Sequence, residues 1–236
     1  MVVIDSRLRI GDQCAWFMGV EHQMAVSTKS IAVAALATVT IILVGTYSLT
    51  RNSVVDALDE CRTSKIMGGT SAIGGPFALM DENGRQVTDA DVLSKPALVY
   101  FGYTYCPDVC PADAARNAEA VDVLEEQGYE VTPVFISVDP NRDTPEVLTE
   151  WTDFMHPRMI GLTGTPEQIQ AAAKAYKTLY QVPESPADDT YLVDHMTQTY
   201  LMLPNSGFAD VFSHDDSADV VAEKTACFLE ATKASN

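Results

Sequence analysis

Hydrophobic and polar positions in the middle of the chain follow a strand–helix–strand order. Continuous apolar runs at residues 97–101 and 131–138 are typical of parallel strands that are buried on both faces. Between these runs, apolar residues from Ala114 to Leu124 recur at helical spacing, and Gly128 is a typical residue to end that helix. The pattern therefore predicts a βαβ unit.

Two more helices are predicted downstream from their capping residues. Thr144-Pro145 and Thr165-Pro166 each combine a threonine N-cap with proline at the first helical position. Gln168 is placed to complete a capping box with the second threonine. The first of these helices should run to about His156, and the apolar segment 159–162 predicts a short strand between the two helices.

The flanks of this region have the pattern of antiparallel strands. Asn83-Gly84, within residues 76–88, is a typical tight hairpin turn. After Pro186 the pattern predicts three short strands and then a final helix that starts at Ser217; the strands are expected at 190–193, 199–203 and 209–212. This order predicts an α/β fold of the thioredoxin-like, redoxin type, with a central sheet flanked by helices.

A long uncharged segment precedes the predicted domain. The 21 residues between Lys29 and Arg51 carry no charge, and as a helix they would span about 31 Å, close to a bilayer core of roughly 30 Å. We expect a cytoplasmic tail at 1–29, a transmembrane anchor at 30–50, a tether at 51–75 and the thioredoxin-like domain at 76–236. A cleaved signal peptide is the alternative, although residues 46–49 form a poor cleavage site. Met24 is an alternative start of the chain.

The overall charge limits the classes of partner. The net charge is −18 at pH 7, and such a surface repels phosphates, so no nucleic acid is expected as a partner. Cationic or neutral partners fit this charge. For most of the carboxylates, however, solubility is the simpler explanation.

Candidate chemistry is concentrated in a cysteine pair that follows the first predicted buried strand. Cys106 and Cys110 are four residues apart, so their Cα atoms lie about 6 Å apart if a helix begins near Pro111. A pair at this distance can close into a disulfide, act as a redox pair or hold a soft metal ion. A third ligand would favour the metal, and His195 is the candidate.

Three motifs, in this order along the chain, extend that interpretation. They run from Cys106 to Pro111, from Val138 to Asp143 and from Val193 to His195. Together they resemble the Sco/SenC family, and the likeness covers residues 74–229 approximately. The resemblance implies a membrane-anchored, thioredoxin-like copper protein that helps to metallate cytochrome c oxidase, either by delivering copper to the copper site or by keeping that site reduced.

The same resemblance implies the ligands, the cargo and the partners. Cys106, Cys110 and His195 correspond to the copper ligands of the family. Thiolates suit Cu(I) and imidazole suits Cu(II), so either state is an expected cargo. The expected partners are a copper-binding subunit of cytochrome c oxidase, a copper donor protein and a thioredoxin-like reductant. The expected location is a bacterial inner membrane, crossed once, with the soluble domain in the periplasm.

Residues around the predicted ligands have expected roles as well. Asp139 ends the second core strand, at the edge where ligand sites gather in open α/β sheets. It is a candidate to orient a ligand as a hydrogen-bond acceptor. The alternative for Asp139 and Asp143 is ordinary turn formation and helix capping. Tyr103 and Tyr105 are expected to rim the site rather than to ligate.

The other cysteines are interpreted by their positions. Cys61 and Cys227 lie at the two ends of the domain, and we predict that they form a structural disulfide. The alternative is two unpaired buried thiols, since free cysteine is commonly buried. Cys14 precedes the predicted anchor and has no assigned role.

Two other functions stay open from the residues alone. One is a membrane-tethered thiol–disulfide oxidoreductase, which would use Cys106 and Cys110 as a redox-active pair. The other is a copper or redox sensor. Three residues separate the two cysteines, whereas a thioredoxin-type active site has two, so a metallochaperone is expected in preference to an enzyme.

Overall fold

The computed structural model describes residues 37–47, 58–62, 73–183 and 190–234. Residues 37–47 form helix α1, which lies in a unit, Met1–Leu49, that is distinct from the second unit, Thr50–Asn236. Within the four described stretches, no helix is both long enough and apolar enough to cross a membrane.

Several predictions fall outside these stretches. The predicted tail and both ends of the predicted anchor, residues 30–36 and 48–50, are not among the described residues. The same holds for the tether, except for residues 58–62 and 73–75. The predicted anchor, tail and tether therefore stay predictions.

The described residues of the second unit form nine strands: β1 (Ala78–Asp81), β2 (Gln86–Thr88), β3 (Ala97–Gly102), β4 (Thr132–Ser137), β5 (Ile160–Thr163), β6 (Tyr180–Gln181), β7 (Asp194–His195), β8 (Thr199–Leu203) and β9 (Gly207–Phe212). Seven of them form one mixed sheet in the order β2-β1-β5-β4-β3-β8-β9. Strands β3, β4 and β5 are parallel, and the remaining pairs are antiparallel. The predicted parallel core and the predicted hairpin at 76–88 are thus confirmed.

In the part of this unit that the structure describes, five helices accompany the sheet, besides a short helical turn at residues 58–60: α2 (Asp89–Val92), α3 (Val109–Glu126), α4 (Pro145–Met155), α5 (Pro166–Tyr176) and α6 (Ala218–Ala234). The predicted caps are confirmed, because Thr144 accepts from the backbone of Val147 and Thr165 forms a capping box with Gln168. Helix α3 begins two residues before Pro111. Proline is tolerated there because first-turn N–H groups have no partner within the helix.

One predicted element differs from the structure. Residues 190–193 are not a strand; the strand there is β7, which contains two residues and pairs with β6 outside the main sheet. Tyr180 pairs with His195 in this small sheet. Hydrophobic alternation cannot predict a two-residue strand, because two positions do not define a period.

The core consists of two hydrophobic clusters. Leu98 of β3 belongs to one cluster and its neighbours Ala97 and Val99 to the other, as expected for side chains on the two faces of a sheet. The Leu98 cluster is built with α3 and α6 through residues such as Leu124 and Phe228. Every residue of β3 is buried, so the strand that leads to the cysteine pair is held by packing on both sides.

Residues 58–62 are attached to this core. Leu58 and Cys61 are buried in the Leu98 cluster, and Cys61 forms a disulfide with Cys227 of α6, with a Cα–Cα distance of 5.8 Å. The side chain of Arg62 donates to the carbonyl of Ala209 at 3.0 Å. Part of the predicted tether therefore packs against the domain.

Candidate metal centre

The cysteine pair lies where β3 ends and α3 begins. Cys106 is in the connecting loop, and Cys110 is in the first turn of α3. The loop starts at Gly102, where a Cβ atom would come within 2.8 Å of the Tyr100 ring and 3.0 Å of the Cys110 sulfur. Glycine at this position thus allows the helix to approach the strand closely.

The two thiols have different surroundings. Both are free and buried, but Cys110 has no exposed surface, whereas Cys106 retains 8%. The backbone N–H of Cys110 donates to the sulfur of Cys106 at 3.3 Å. Burial, and then the hydrogen bond with Cys106, raises the pKa of the Cys110 thiol well above its ordinary value. Without a metal, Cys110 therefore keeps its proton at neutral pH.

His195 reaches the pair from a distant part of the chain. Its Nε2 atom lies 3.2 Å from the sulfur of Cys110, and its Nδ1 atom lies 3.0 Å from the carbonyl oxygen of Met196. A carbonyl only accepts, so Nδ1 carries the proton and Nε2 presents a lone pair to the cysteines. The ring also meets Tyr103 edge-on, with 5.7 Å between ring centroids.

The three groups fit a soft metal ion. The sulfur atoms of Cys106 and Cys110 and a ring nitrogen of His195 all lie within 4.8 Å of one another. Around a single ion, with metal–sulfur bonds near 2.3 Å and metal–nitrogen bonds near 2.0 Å, three ligand atoms would be roughly 4 Å apart. A small contraction would therefore close the site. Two thiolates and one imidazole suit copper, whereas a structural zinc site normally has four ligands.

The buried carboxylate of Asp143 holds the loop that carries Cys106. Asp143 accepts from the backbone N–H of Thr104 at 3.0 Å and from its hydroxyl at 2.6 Å. It also accepts from the hydroxyl of Ser137 at the end of β4. Burial raises the pKa of Asp143. The sequence indicated Asp143 as the last residue of a motif and as a turn or capping residue, but not its contact with Thr104, because contacts between separate loops leave no local pattern.

Asp139 is close to the site but contacts other residues. Its carboxylate accepts from Arg142 and from the hydroxyl of Tyr191, the latter at 2.7 Å. The acceptor on Nδ1 of His195 is the carbonyl of Met196 instead. A ligand-orienting role for Asp139 stays a prediction, and any such role would act through Arg142 and Tyr191, which sequence reasoning missed.

The two tyrosines of the loop have different positions. Tyr103 is buried against His195, and Tyr105 is 54% exposed beside Cys106. An open cavity of about 270 Å³ gives access to the cluster and is lined in part by Tyr103, Cys106, Pro107 and His195. Cys106 and His195 thus border the open side of the cluster, and Cys110 lies behind them.

A mixed sheet flanked by helices, with a Cys-Cys-His cluster at its first parallel βα turn, defines a thioredoxin-like protein with a three-donor site for a soft metal. Comparisons with known proteins agree. The chain is 55% identical over 210 residues to protein SenC of Rhodobacter capsulatus, covering 88% of this chain and 94% of that protein. Protein SCO1 homolog 1 of Arabidopsis thaliana is 42% identical over 156 residues, or 66% of this chain and 46% of that longer protein.

A solved structure has the same architecture. The crystal structure of Arabidopsis thaliana ScoI with copper bound superposes with a TM-score of 0.64 at 39% identity, covering 67% of this chain and 99% of that one. A family model described as SCO1/SenC matches residues 66–230. The chain belongs to the SCO1/SenC family, and its fold is the thioredoxin-like fold of that family.

Proposed function

We propose that this protein binds copper and supplies it to cytochrome c oxidase during assembly of the oxidase. The observation that carries the proposal is the convergence of Cys106, Cys110 and His195, whose ligand atoms lie within 4.8 Å of one another. A relative that is 39% identical has been solved with copper bound, which supports the same cargo here. One copper ion would be held by two thiolates and the Nε2 atom of the imidazole.

The geometry also suggests how copper would enter and leave. Binding replaces the proton of Cys110, whose thiol is neutral without metal, and the positive ion stabilises the buried thiolate. Cys110 forms the inner part of the site, and Cys106 and His195 border the open cavity. Because the carbonyl of Met196 holds the imidazole at Nδ1, a soft ligand of a partner would replace the Cys106 thiolate first. Transfer would then proceed by ligand exchange, in which one metal–sulfur bond forms as another breaks.

The finer parts of the proposal concern location and partners. A membrane anchor at residues 30–50 would place the domain in the periplasm, where a copper donor and a copper-binding oxidase subunit would meet it. In that compartment an oxidant that carries a disulfide would accept two electrons and two protons from Cys106 and Cys110, and the disulfide they form offers no thiolate ligand. A thioredoxin-like dithiol would reduce them by exchange, becoming a disulfide itself as two electrons and two protons pass to the pair.

A second candidate function follows from the same two thiols. Both cysteines are free, and Cys106 borders an open cavity through which the disulfide of a partner could reach its sulfur. A thiol–disulfide reductase that acts on an oxidised partner would need Cys106 and Cys110 but not His195. The dependence on His195 therefore separates the two functions.

Copper titration of the reduced full-length protein tests the primary proposal. We expect one copper per chain in the wild type and in His214→Ala, which removes an imidazole outside the cluster. Cys106→Ser and Cys110→Ser should each lose most of the affinity, because each removes a thiolate. Equal copper retention by the wild type and both serine variants would refute the proposal. Disulfide reductase activity that survives His195→Ala, without stoichiometric copper binding, would favour the second candidate.

A further inference from the structure

His195 is positioned by few elements of regular structure. Its strand β7 has two residues and pairs with β6, which also has two, outside the seven-stranded sheet. One further backbone hydrogen bond joins Met196 to the carbonyl of Leu179 at 3.0 Å. The cysteines, in contrast, follow a fully buried central strand. The placement of the histidine therefore depends on side-chain contacts.

A group of three side chains supplies such contacts. The side chain of Arg142 is 92% buried and pairs with the fully buried side chain of Asp139. Its guanidinium carbon lies 3.6 Å from the ring centroid of Tyr191, and the hydroxyl of Tyr191 donates to Asp139 at 2.7 Å. Tyr191 is thus held at its ring by the cation and at its hydroxyl by the carboxylate.

The same guanidinium also contacts the loop that carries Cys106. Its carbon lies 4.7 Å from the ring centroid of Tyr105 and 5.6 Å from that of Tyr103. Tyr103 in turn meets the ring of His195 edge-on. Arg142 therefore lies between the two segments that bring the ligands together, the 103–106 loop and the 191–195 segment.

We infer that Asp139, Arg142 and Tyr191 form a clamp that holds the segment with His195 over the cysteine pair. On the proposed copper function, on which this inference rests, the clamp sets how long Cu(II) stays bound. The reason is that Cu(II) depends on the imidazole, whereas Cu(I) is held by the thiolates. The clamp residues are positioning residues, because none of them reaches the ligand atoms.

The protonation state of Tyr191 is consistent with the clamp. Burial, and then the hydrogen bond to Asp139, raises the pKa of Tyr191 to about 12. The hydroxyl therefore keeps its proton and donates throughout the physiological range. Planar guanidinium groups stack on aromatic rings in a way that an ammonium does not reproduce, so lysine is not an equivalent residue at position 142.

Tyr191→Phe in the full-length protein is the sharpest test, since it removes one hydroxyl and keeps the ring. Tyr129→Phe is a matched control, because the hydroxyl of Tyr129 also donates to a carboxylate, that of Glu230 at 2.9 Å. A cation, Lys233, also lies over its ring at 4.4 Å. Tyr129 follows the C-terminal end of α3, which lies about 24 Å along that helix from Cys110.

The first measurement is the rate at which a chelator removes Cu(II). We expect Tyr191→Phe and Arg142→Lys each to release Cu(II) about tenfold faster than the wild type, the usual size of an effect on a residue that orients a ligand. Cu(I) affinity should change less than threefold, and Tyr129→Phe should match the wild type. In a His195→Ala background, Tyr191→Phe should cause no further acceleration.

A second measurement needs no copper. Amide hydrogen exchange of residues 190–196 in the metal-free protein should be faster in Tyr191→Phe than in Tyr129→Phe or the wild type. If the wild type binds no copper, but residues 190–196 still exchange faster in Tyr191→Phe than in the wild type, the copper function is refuted and the clamp is supported. The clamp is wrong if Tyr191→Phe releases Cu(II) no faster than Tyr129→Phe. It is also wrong if the acceleration persists without His195, or if the exchange rates are equal.

Discussion

The Nε2 atom of His195 lies 3.2 Å from the sulfur of Cys110, although 85 residues separate the two along the chain. Cys110 belongs to the first turn of α3, and His195 belongs to a two-residue strand outside the main sheet. The carbonyl of Met196 fixes the histidine tautomer, and burial keeps the cysteine neutral. Each partner is thus prepared for a metal by a different part of the fold.

Because the site combines two thiolates with one imidazole, loss of the histidine should affect Cu(II) and Cu(I) binding differently. His195→Ala should weaken Cu(II) binding by at least tenfold and Cu(I) binding by much less, because two thiolates alone can hold the monovalent ion. Competition titrations with chelators for each oxidation state measure both affinities. Equal losses for the two states would show that the imidazole is not the group that discriminates between them.

The raised pKa of Cys110 predicts a pH dependence of copper loading. Below that pKa the thiol is protonated, so copper must displace a proton, and the apparent affinity should rise about tenfold per pH unit for each proton displaced. The proton count follows from calorimetric titrations in buffers with different ionisation enthalpies. Cys110→Ser should release at least one proton fewer than the wild type, and an unchanged count would contradict the assignment.

The disulfide between Cys61 and Cys227, in a different hydrophobic cluster from Cys106 and Cys110, predicts a large effect on stability and a small effect on copper binding. Replacing Cys61 and Cys227 together by alanine opens a loop with a sequence separation of 166 residues. On the chain-entropy model this should lower the free energy of unfolding by roughly 4–5 kcal/mol. Urea unfolding of the non-reduced proteins provides the measurement. Two free thiols at these positions in the non-reduced wild type would show that no bridge forms.

Gly102 should be intolerant of a side chain. An added Cβ would lie 2.8 Å from the ring of Tyr100 and 2.9 Å from that of Phe135, in a strand with no exposed residue. We expect Gly102→Ala to lower the free energy of unfolding by about 1–3 kcal/mol, as overpacked cores do, and to weaken copper binding by displacing Cys110. Thermal unfolding and copper titration test the two effects, and an unchanged melting temperature would argue against the close approach.

The sequence predicted most of the local structure because local structure depends on neighbouring residues. The apolar run at 97–101, the turn at Asn83-Gly84 and the cap at Thr144-Pro145 each contain their own physical signal. For residues 190–193 the hydrophobic pattern predicted a strand, which the structure does not contain. That segment is held by the hydrogen bond from Tyr191 to Asp139 and by the stacking of Arg142 on the Tyr191 ring, rather than by strand pairing.

The sequence by itself determined the ligand types, the spacing of Cys106 and Cys110, and the order of the βαβ core, since spacing and periodicity are properties of the chain. Only the tertiary structure decided that Nε2 of His195 faces Cys110 and that Met196 holds the other ring nitrogen. It also decided that Arg142 bridges the two loops of the site. These relationships join residues far apart in sequence, and their geometry follows from how the sheet packs, which no local pattern contains.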